Sequence, residues 1–339
     1  MAYVYFLLLC FVWGSSFILM ERTLHAFGPV GVGIGRLLGG TAVLLVVWLL
    51  QRRRYHVSRR DVLQITFVTF VATAVPFVVL PYVVAQGFGH SYMGMMMAIV
   101  PLATILISVP MLGILPTGRQ LIGVVGGLVC LAFILRDGSQ RGMSISLLAL
   151  AASVPLTYSF GNTYIKWKLD HLPALPLTTL LLGIAGVMLL PMQFIAPLRD
   201  HFDLVPPAHP TDWLQAIASL AFLGVVGTGI SVLVFINLVL KQGPLFAGMI
   251  TYVVPVLAVM WGAYDHEVIT SQQVAAMVGV LAMVALVQYG AAQPHPAAAD
   301  AVAAPEVTHL GTADGLTAGD CNGQPASSTP DAARPEPLH

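Results

Sequence analysis

Gly94-Met95-Met96-Met97-Ala98-Ile99-Val100-Pro101 is answered, 154 positions later, by Gly248-Met249-Ile250-Thr251-Tyr252-Val253-Val254-Pro255. Gly-Met opens both stretches and Val-Pro closes them. A little further on, Gln120, Gly126, Leu128 and Ala132 match Gln273, Gly279, Leu281 and Ala285 at an offset of 153. One single-residue gap therefore joins both sets into one run, and self-similarity at a fixed spacing speaks about architecture before any single motif does.

What repeats is apolar. Of 339 residues, 57% are hydrophobic and 9% are charged, with 15 Lys and Arg against 15 Asp and Glu. A soluble chain carries roughly 25% charged residues, so this one has too few charges to cover a water-facing surface. Continuous apolar runs, rather than alternation, exclude a β-barrel and leave an all-α polytopic membrane protein. Runs of about 20 apolar residues number ten: Ala2–Met20, Val30–Leu50, Val62–Ala85, Ser91–Gly113, Gly118–Leu135, Met143–Tyr164, Ala174–Pro197, Trp213–Leu240, Leu245–Ala263 and Gln272–Tyr289. The first has no basic leader or cleavage site and reads as a membrane helix, not a signal peptide.

The matched segments are helices four and five against nine and ten, so the offset equals five helices. Five is odd, and the second copy must cross the membrane in the opposite sense. The expectation is ten transmembrane helices as two inverted five-helix repeats, residues 1–136 and 143–290, an arrangement secondary transporters use for alternating access.

Charge sets the orientation. With a cytoplasmic amino terminus, the inside loops hold nine bases (Arg52, Arg53, Arg54, Arg59, Arg60, Arg119, Lys166, Lys168 and Lys241) and the outside loops four (Arg22, Arg136, Arg141 and Arg199). The positive-inside rule then places both ends in the cytoplasm. Residues 293–339 hold six acids and one base, leaving 14 bases and 9 acids in the body, a net of +5. This tail is rich in Pro, Ala, Asp and Thr without apolar period, and reads as a disordered cytoplasmic extension. Cys10, Cys130 and Cys321 are odd in number and far apart, which implies neither disulfide nor metal site.

Trp13-Gly14-Ser15-Ser16-Phe17, Pro29 followed by Arg36, Val100-Pro101-Leu102, Tyr158-Ser159-Phe160-Gly161-Asn162, Val254-Pro255-Val256 and Glu267 together resemble the EamA-type branch of the drug/metabolite transporter superfamily. The resemblance spans residues 2–289 and omits the tail. It implies a ten-helix fold in the inner membrane, a central cavity lined by helices such as one, three, four, six, eight and nine, and movement of small organic metabolites, with export of amino acids or related compounds the leading case. One element departs from the pattern. The family carries a Gly-Glu pair after helix four, where this chain has Gly113-Ile114-Leu115-Pro116.

Enzymatic and cofactor motifs are absent, and nothing in the sequence suits nucleic acid. Partners are thus a small-molecule substrate and the lipid bilayer. The rival reading is a membrane-embedded structural or sensory protein acting through its tail. Asp265-His266-Glu267 reads as a solvated loop, since neighbouring side chains at a helix end diverge. No carboxylate lies at mid-membrane, which leaves proton coupling, antiport and facilitated diffusion open; Glu21, His25, His90 and Glu267 are the interfacial candidates. Polar, aromatic and sulfur-bearing groups inside the spans are the candidate substrate contacts: Trp13, Ser15, Ser16, Tyr82, Met93, Tyr158, Asn162, Asn237 and Tyr252. Pro101 and Pro255, repeat-equivalent, are candidate hinges because each removes a backbone donor. Arg36 is the one charge clearly inside a span. It either snorkels or caps carbonyls freed by a proline, or its planar fork of donors binds an anionic group such as a substrate carboxylate.

Overall fold

A computed structural model describes residues 2–52, 55–113, 115–197, 213–248 and 250–289; the tail falls outside them. Every regular element described is helical. In chain order they are α1 Ala2–Leu24, α2 Pro29–Gln51, α3 Arg59–Gly87, α4 His90–Leu112, α5 Gly118–Gln140, α6 Ile145–Lys168, α7 Ala174–Phe194, α8 Trp213–Gln242, α9 Ile250–Tyr264 and α10 Ser271–Tyr289, with a short helix Pro244–Gly248 before α9. Among the described residues nine helices are long and apolar enough to cross a membrane, the ninth counted from Phe246. In α10 the apolar stretch is shorter, Ser271–Val287. Leu50, Leu63, Ile145 and Phe194 are more than two-thirds exposed. Such an outward apolar surface needs lipid to cover it. The protein is a multi-pass membrane protein.

Helix starts follow local chemistry. Ser58 caps α3, its Oγ accepting the Asp61 N–H at 3.1 Å while its own N–H donates to Asp61 Oδ2 at 3.0 Å. Thr117 and Gln120 form the same box at α5, and Thr270 and Gln273 repeat it at α10. Each box satisfies two of the amides that a helix start leaves open.

Several boundaries differ from the apolar reading by a few residues, and at two of them a polar contact gives the reason. The fifth run was expected to stop at Leu135, yet α5 continues to Gln140 and buries Asp137 in its last turns. Asp137 tolerates burial because it accepts from Thr270 Oγ1 at 2.8 Å and Gln273 Nε2 at 2.6 Å, which ties α5 to α10. The sixth was expected to end at Tyr164 but runs on to Lys168. There Lys166 donates to Leu240 O at 2.6 Å, meeting a carbonyl near the end of α8.

Two helices are locally wide. Pro76 has no N–H to return to Ala72, and just before it the chain opens into a π-helical turn, Phe70–Ala74, in which the Val75 N–H reaches Phe70 O five residues back. α8 does the same over Leu223–Ile230, where Ser231 bonds back to Val226 O.

Helices pack in a regular scheme. α2 lies against α7 and α8, α1 against α8 and α9, α6 against α3 and α4, and α5 against α10 at the edge. Backbones approach closely at Gly40 and Gly229, where a Cβ on Gly40 would sit 2.9 Å from the Gly229 nitrogen.

Candidate functional site: a cavity between eight helices

All helices except α5 and α10 contribute to a cavity of about 160 Å³. The resemblance implied walls from helices one, three, four, six, eight and nine; α2 and α7 join them here through Arg36, Leu181 and Leu182. Both π-helical turns reach this space, with Ala72 and Thr73 from α3 and Gly227 from α8.

Of the proposed contacts, Trp13, Ser16, Arg36, Tyr158 and Asn162 line the cavity. Trp13 donates from Nε1 to Gly227 O at 3.2 Å and packs on Phe235 with ring centroids 4.8 Å apart. The other five lie elsewhere. Ser15 accepts from Trp261 Nε1 at 3.0 Å, so its hydroxyl joins α1 to α9. Met93 is fully buried in the core, Tyr82 and Tyr252 pack against that core half-buried, and Asn237 is exposed. Pro101 and Pro255 are both buried. Neither meets the cavity, but their neighbours Val100 and Val254 do.

Among the described residues, Arg36 is the only charged side chain on the wall. Nε donates to Thr228 Oγ1 at 3.3 Å, Nη1 reaches Met20 Sδ at 4.0 Å, and the guanidinium carbon stands 4.9 Å from the centre of the Phe77 ring. A guanidinium has five N–H donors. Only a hydroxyl and a sulfur answer them among the described residues, and no acid pairs with Arg36.

Three of the four interfacial candidates, Glu21, His90 and Glu267, meet in a second constellation at the end of the bundle where α1 finishes. His90, fully buried, has Nδ1 between the carboxylates of Glu21 and Glu267, 2.9 Å from Glu267 Oε1. Glu267 also accepts the His90 N–H at 2.7 Å and the Ser91 N–H at 3.2 Å. Burial alone would raise the Glu267 carboxyl, but the bonds from His90 and Ser91 outweigh it and hold the group below its ordinary value. Ligand atoms of Glu21, His90 and Glu267 all lie within 4.8 Å of one another, a spacing open to a metal ion. His90 Nε2 has no partner among the described residues. Beside this group Arg22 pairs with Asp265. Asp265 and Glu267 therefore do diverge, each toward a different helix. Their interfacial positions singled out Glu21, His90 and Glu267 in the sequence, but coming from three distant segments they gave no sign that they touch.

A helical membrane body around a small, mostly apolar cavity with one cation suits a membrane transporter. The EamA-like transporter family model matches residues 1–136 and again 143–289, and the chain belongs to that family. It is 25% identical over 264 residues to the uncharacterized transporter YoaV of Bacillus subtilis (strain 168), covering 76% of this chain and 87% of that one. A solved crystal structure described only as that of a protein superimposes with a TM-score of 0.60 at 15% identity, across 85% of this chain and 97% of the other. At that identity the likeness speaks for the fold alone.

Proposed function

We propose that the protein is a secondary carrier of small organic metabolites in the inner membrane, with both termini cytoplasmic. It works by alternating access between two inverted halves, residues 1–136 and 143–290. Efflux is the working direction that the family resemblance implies. Arg36, Trp13, Ser16, Tyr158 and Asn162 contact the solute, and Pro101 and Pro255 serve as hinges where α4 and α9 meet the cavity.

One observation carries the reading. The cavity wall pairs off at a constant spacing: Trp13, Ser16, Phe17 and Met20 on α1 correspond to Tyr158, Gly161, Asn162 and Ile165 on α6, each 145 positions apart. Met97 and Val100 correspond in the same way to Thr251 and Val254, 154 apart. A solute at this seam touches both halves equally, so a rocking motion of one against the other exposes it to either side. The matching capping boxes of α5 and α10, the paired π turns of α3 and α8, and the contact of α1 with α8 against that of α6 with α3 support the same symmetry.

Three cysteine placements test this, in a background with Cys10, Cys130 and Cys321 replaced by alanine. His56→Cys and Ser139→Cys, both on exposed positions, should label from opposite faces of the membrane. Ser16→Cys, on the cavity wall, should react with a small impermeant thiol reagent added to either face. Reaction of Ser16→Cys from one face only would sink alternating access; equal labelling of His56→Cys and Ser139→Cys would sink the inverted halves.

A further inference from the structure

Building on the carrier reading, we infer that the cavity selects an organic monocarboxylate with an apolar body, and selects against solutes that carry an ammonium group. The wall offers one formal charge, and it is positive. Arg36 keeps most of its donors unanswered, with a hydroxyl, a sulfur and the face of Phe77 for company. A cation held this way in an apolar surrounding is short of a counter-charge. A carboxylate supplies one, and its two oxygens match the guanidinium fork.

An ammonium group finds no equivalent. Among the described residues no Asp or Glu lines the cavity. The nearest acid in sequence, Glu21, follows the lining residue Met20, but its carboxylate is engaged by His90. Glu267 and Asp265 are likewise taken, by His90 and Arg22. A zwitterionic amino acid would leave its cationic end in a low-dielectric space beside Arg36, with no anion to answer it and a like charge nearby. The amino acids that family resemblance suggests are thus disfavoured by the chemistry of this wall.

Symmetry sharpens the class to a single carboxylate. Arg36 lies 145 positions before Leu181, the same spacing that pairs α1 with α6, and Leu181 also lines the cavity. Where the second half would place a second anchor it places a leucine. Most of the rest of the wall is aromatic or aliphatic, with Trp13, Phe17, Phe77 and Phe235 prominent and neutral polar groups at Ser16, Thr73, Asn162 and Thr251, so the body of the solute is largely apolar.

Four matched probes decide the matter on the purified full-length protein: 3-phenylpropionate, L-phenylalanine, phenethylamine and 3-phenyl-1-propanol, compared by calorimetric Kd and by shift of the melting temperature. We expect 3-phenylpropionate to bind about tenfold or more tighter than L-phenylalanine, as one charge-assisted contact allows, and phenethylamine to give no shift. Arg36→Gln should remove the preference for 3-phenylpropionate over 3-phenyl-1-propanol, and Arg36→Lys should restore part of it. The wild-type series needs no variant, so a misfolded Arg36→Gln leaves the inference exposed to refutation. Equal affinity for L-phenylalanine and 3-phenylpropionate, or no binding of 3-phenylpropionate, overturns it. Flux in proteoliposomes separates the two claims: transport without carboxylate preference overturns the inference and keeps the carrier, whereas preferential binding without transport keeps the inference and overturns the carrier.

Discussion

Glu267 caps the first turn of α4 from 177 positions away, its Oε1 accepting the backbone N–H of His90 at 2.7 Å. Just before His90, Gly89 turns the chain with φ 88° and ψ 146°; 154 positions on, Gly243 does so with φ 87° and ψ 163°. Both values of φ lie where only glycine is at ease. The residue after Gly243 is Pro244, which has no N–H to offer. The second helix start therefore presents one amide fewer than the first, keeping that of Leu245 where the first offers those of both His90 and Ser91 to Glu267.

Replacing Glu267 tests the cap. Glu267→Ala would leave the His90 and Ser91 amides unmet at a largely buried position, where each such group costs about 1–3 kcal/mol. We expect a lower melting temperature in detergent. Asp170→Ala, which breaks only the surface pair with Lys166, should change stability by no more than about 0.5 kcal/mol. Similar losses in both variants would count against the cap.

The same carboxylate predicts an acid limb of stability. Its folded value lies below the ordinary 4.5, so its contribution is complete above 4.5 and is lost as pH falls through the lowered folded value. Glu267→Gln keeps one carbonyl acceptor but cannot titrate. Melting temperatures taken downward from neutral pH should fall less steeply for Glu267→Gln than for wild type across that window. Parallel curves would show that other groups set the acid limb.

Much of the body was legible because lipid imposes long apolar runs, and because Arg36 is conspicuous within one. The capping boxes Thr117-x-x-Gln120 and Thr270-x-x-Gln273 carry a sequence signature, but a reading by apolar runs passed over them. The partners of Glu267 were not legible: its neighbours in sequence suggest a solvated loop, and the pairing with His90 exists only once α4 and α9 pack together. Ser15 shows the same limit. Its place beside Ser16 suggests a shared role, but one turns to the cavity and the other to Trp261. The π turn of α8 carries no proline to announce it.

Asp137 and Gln273 supply a coupling test across the α5–α10 seam. Both are buried, and Gln273 Nε2 donates to Asp137 Oδ2 at 2.6 Å. A cycle of Asp137→Ala, Gln273→Ala and the double variant should give a coupling energy of about 1–3 kcal/mol. Additive losses would mean that the pair is held by its surroundings and contributes nothing of its own.

The crossing of α2 and α8 depends on having no side chain between two backbones. A Cβ at Gly40 would meet Gly229 nitrogen at 2.9 Å, Gly229 Cα at 3.1 Å and Gly224 O at 3.2 Å, all main-chain atoms that cannot rotate away. Gly31, on the same helix, would meet only the Gln193 side-chain nitrogen at 3.7 Å and Phe27 Cβ at 3.8 Å, which is ordinary contact. Gly40→Ala should therefore destabilise by about 1–3 kcal/mol, the usual range for overpacking, whereas Gly31→Ala should be neutral or slightly stabilising through helix propensity. The effect should reach the cavity as well, because α2 carries Arg36 and α8 carries its partner Thr228. If α2 moves away from α8, the 3.3 Å bond between them lengthens, and Gly40→Ala should weaken solute binding along with stability. Thermal unfolding and binding measured on the same preparations check both, and a Gly40→Ala protein as stable as Gly31→Ala would refute the close crossing.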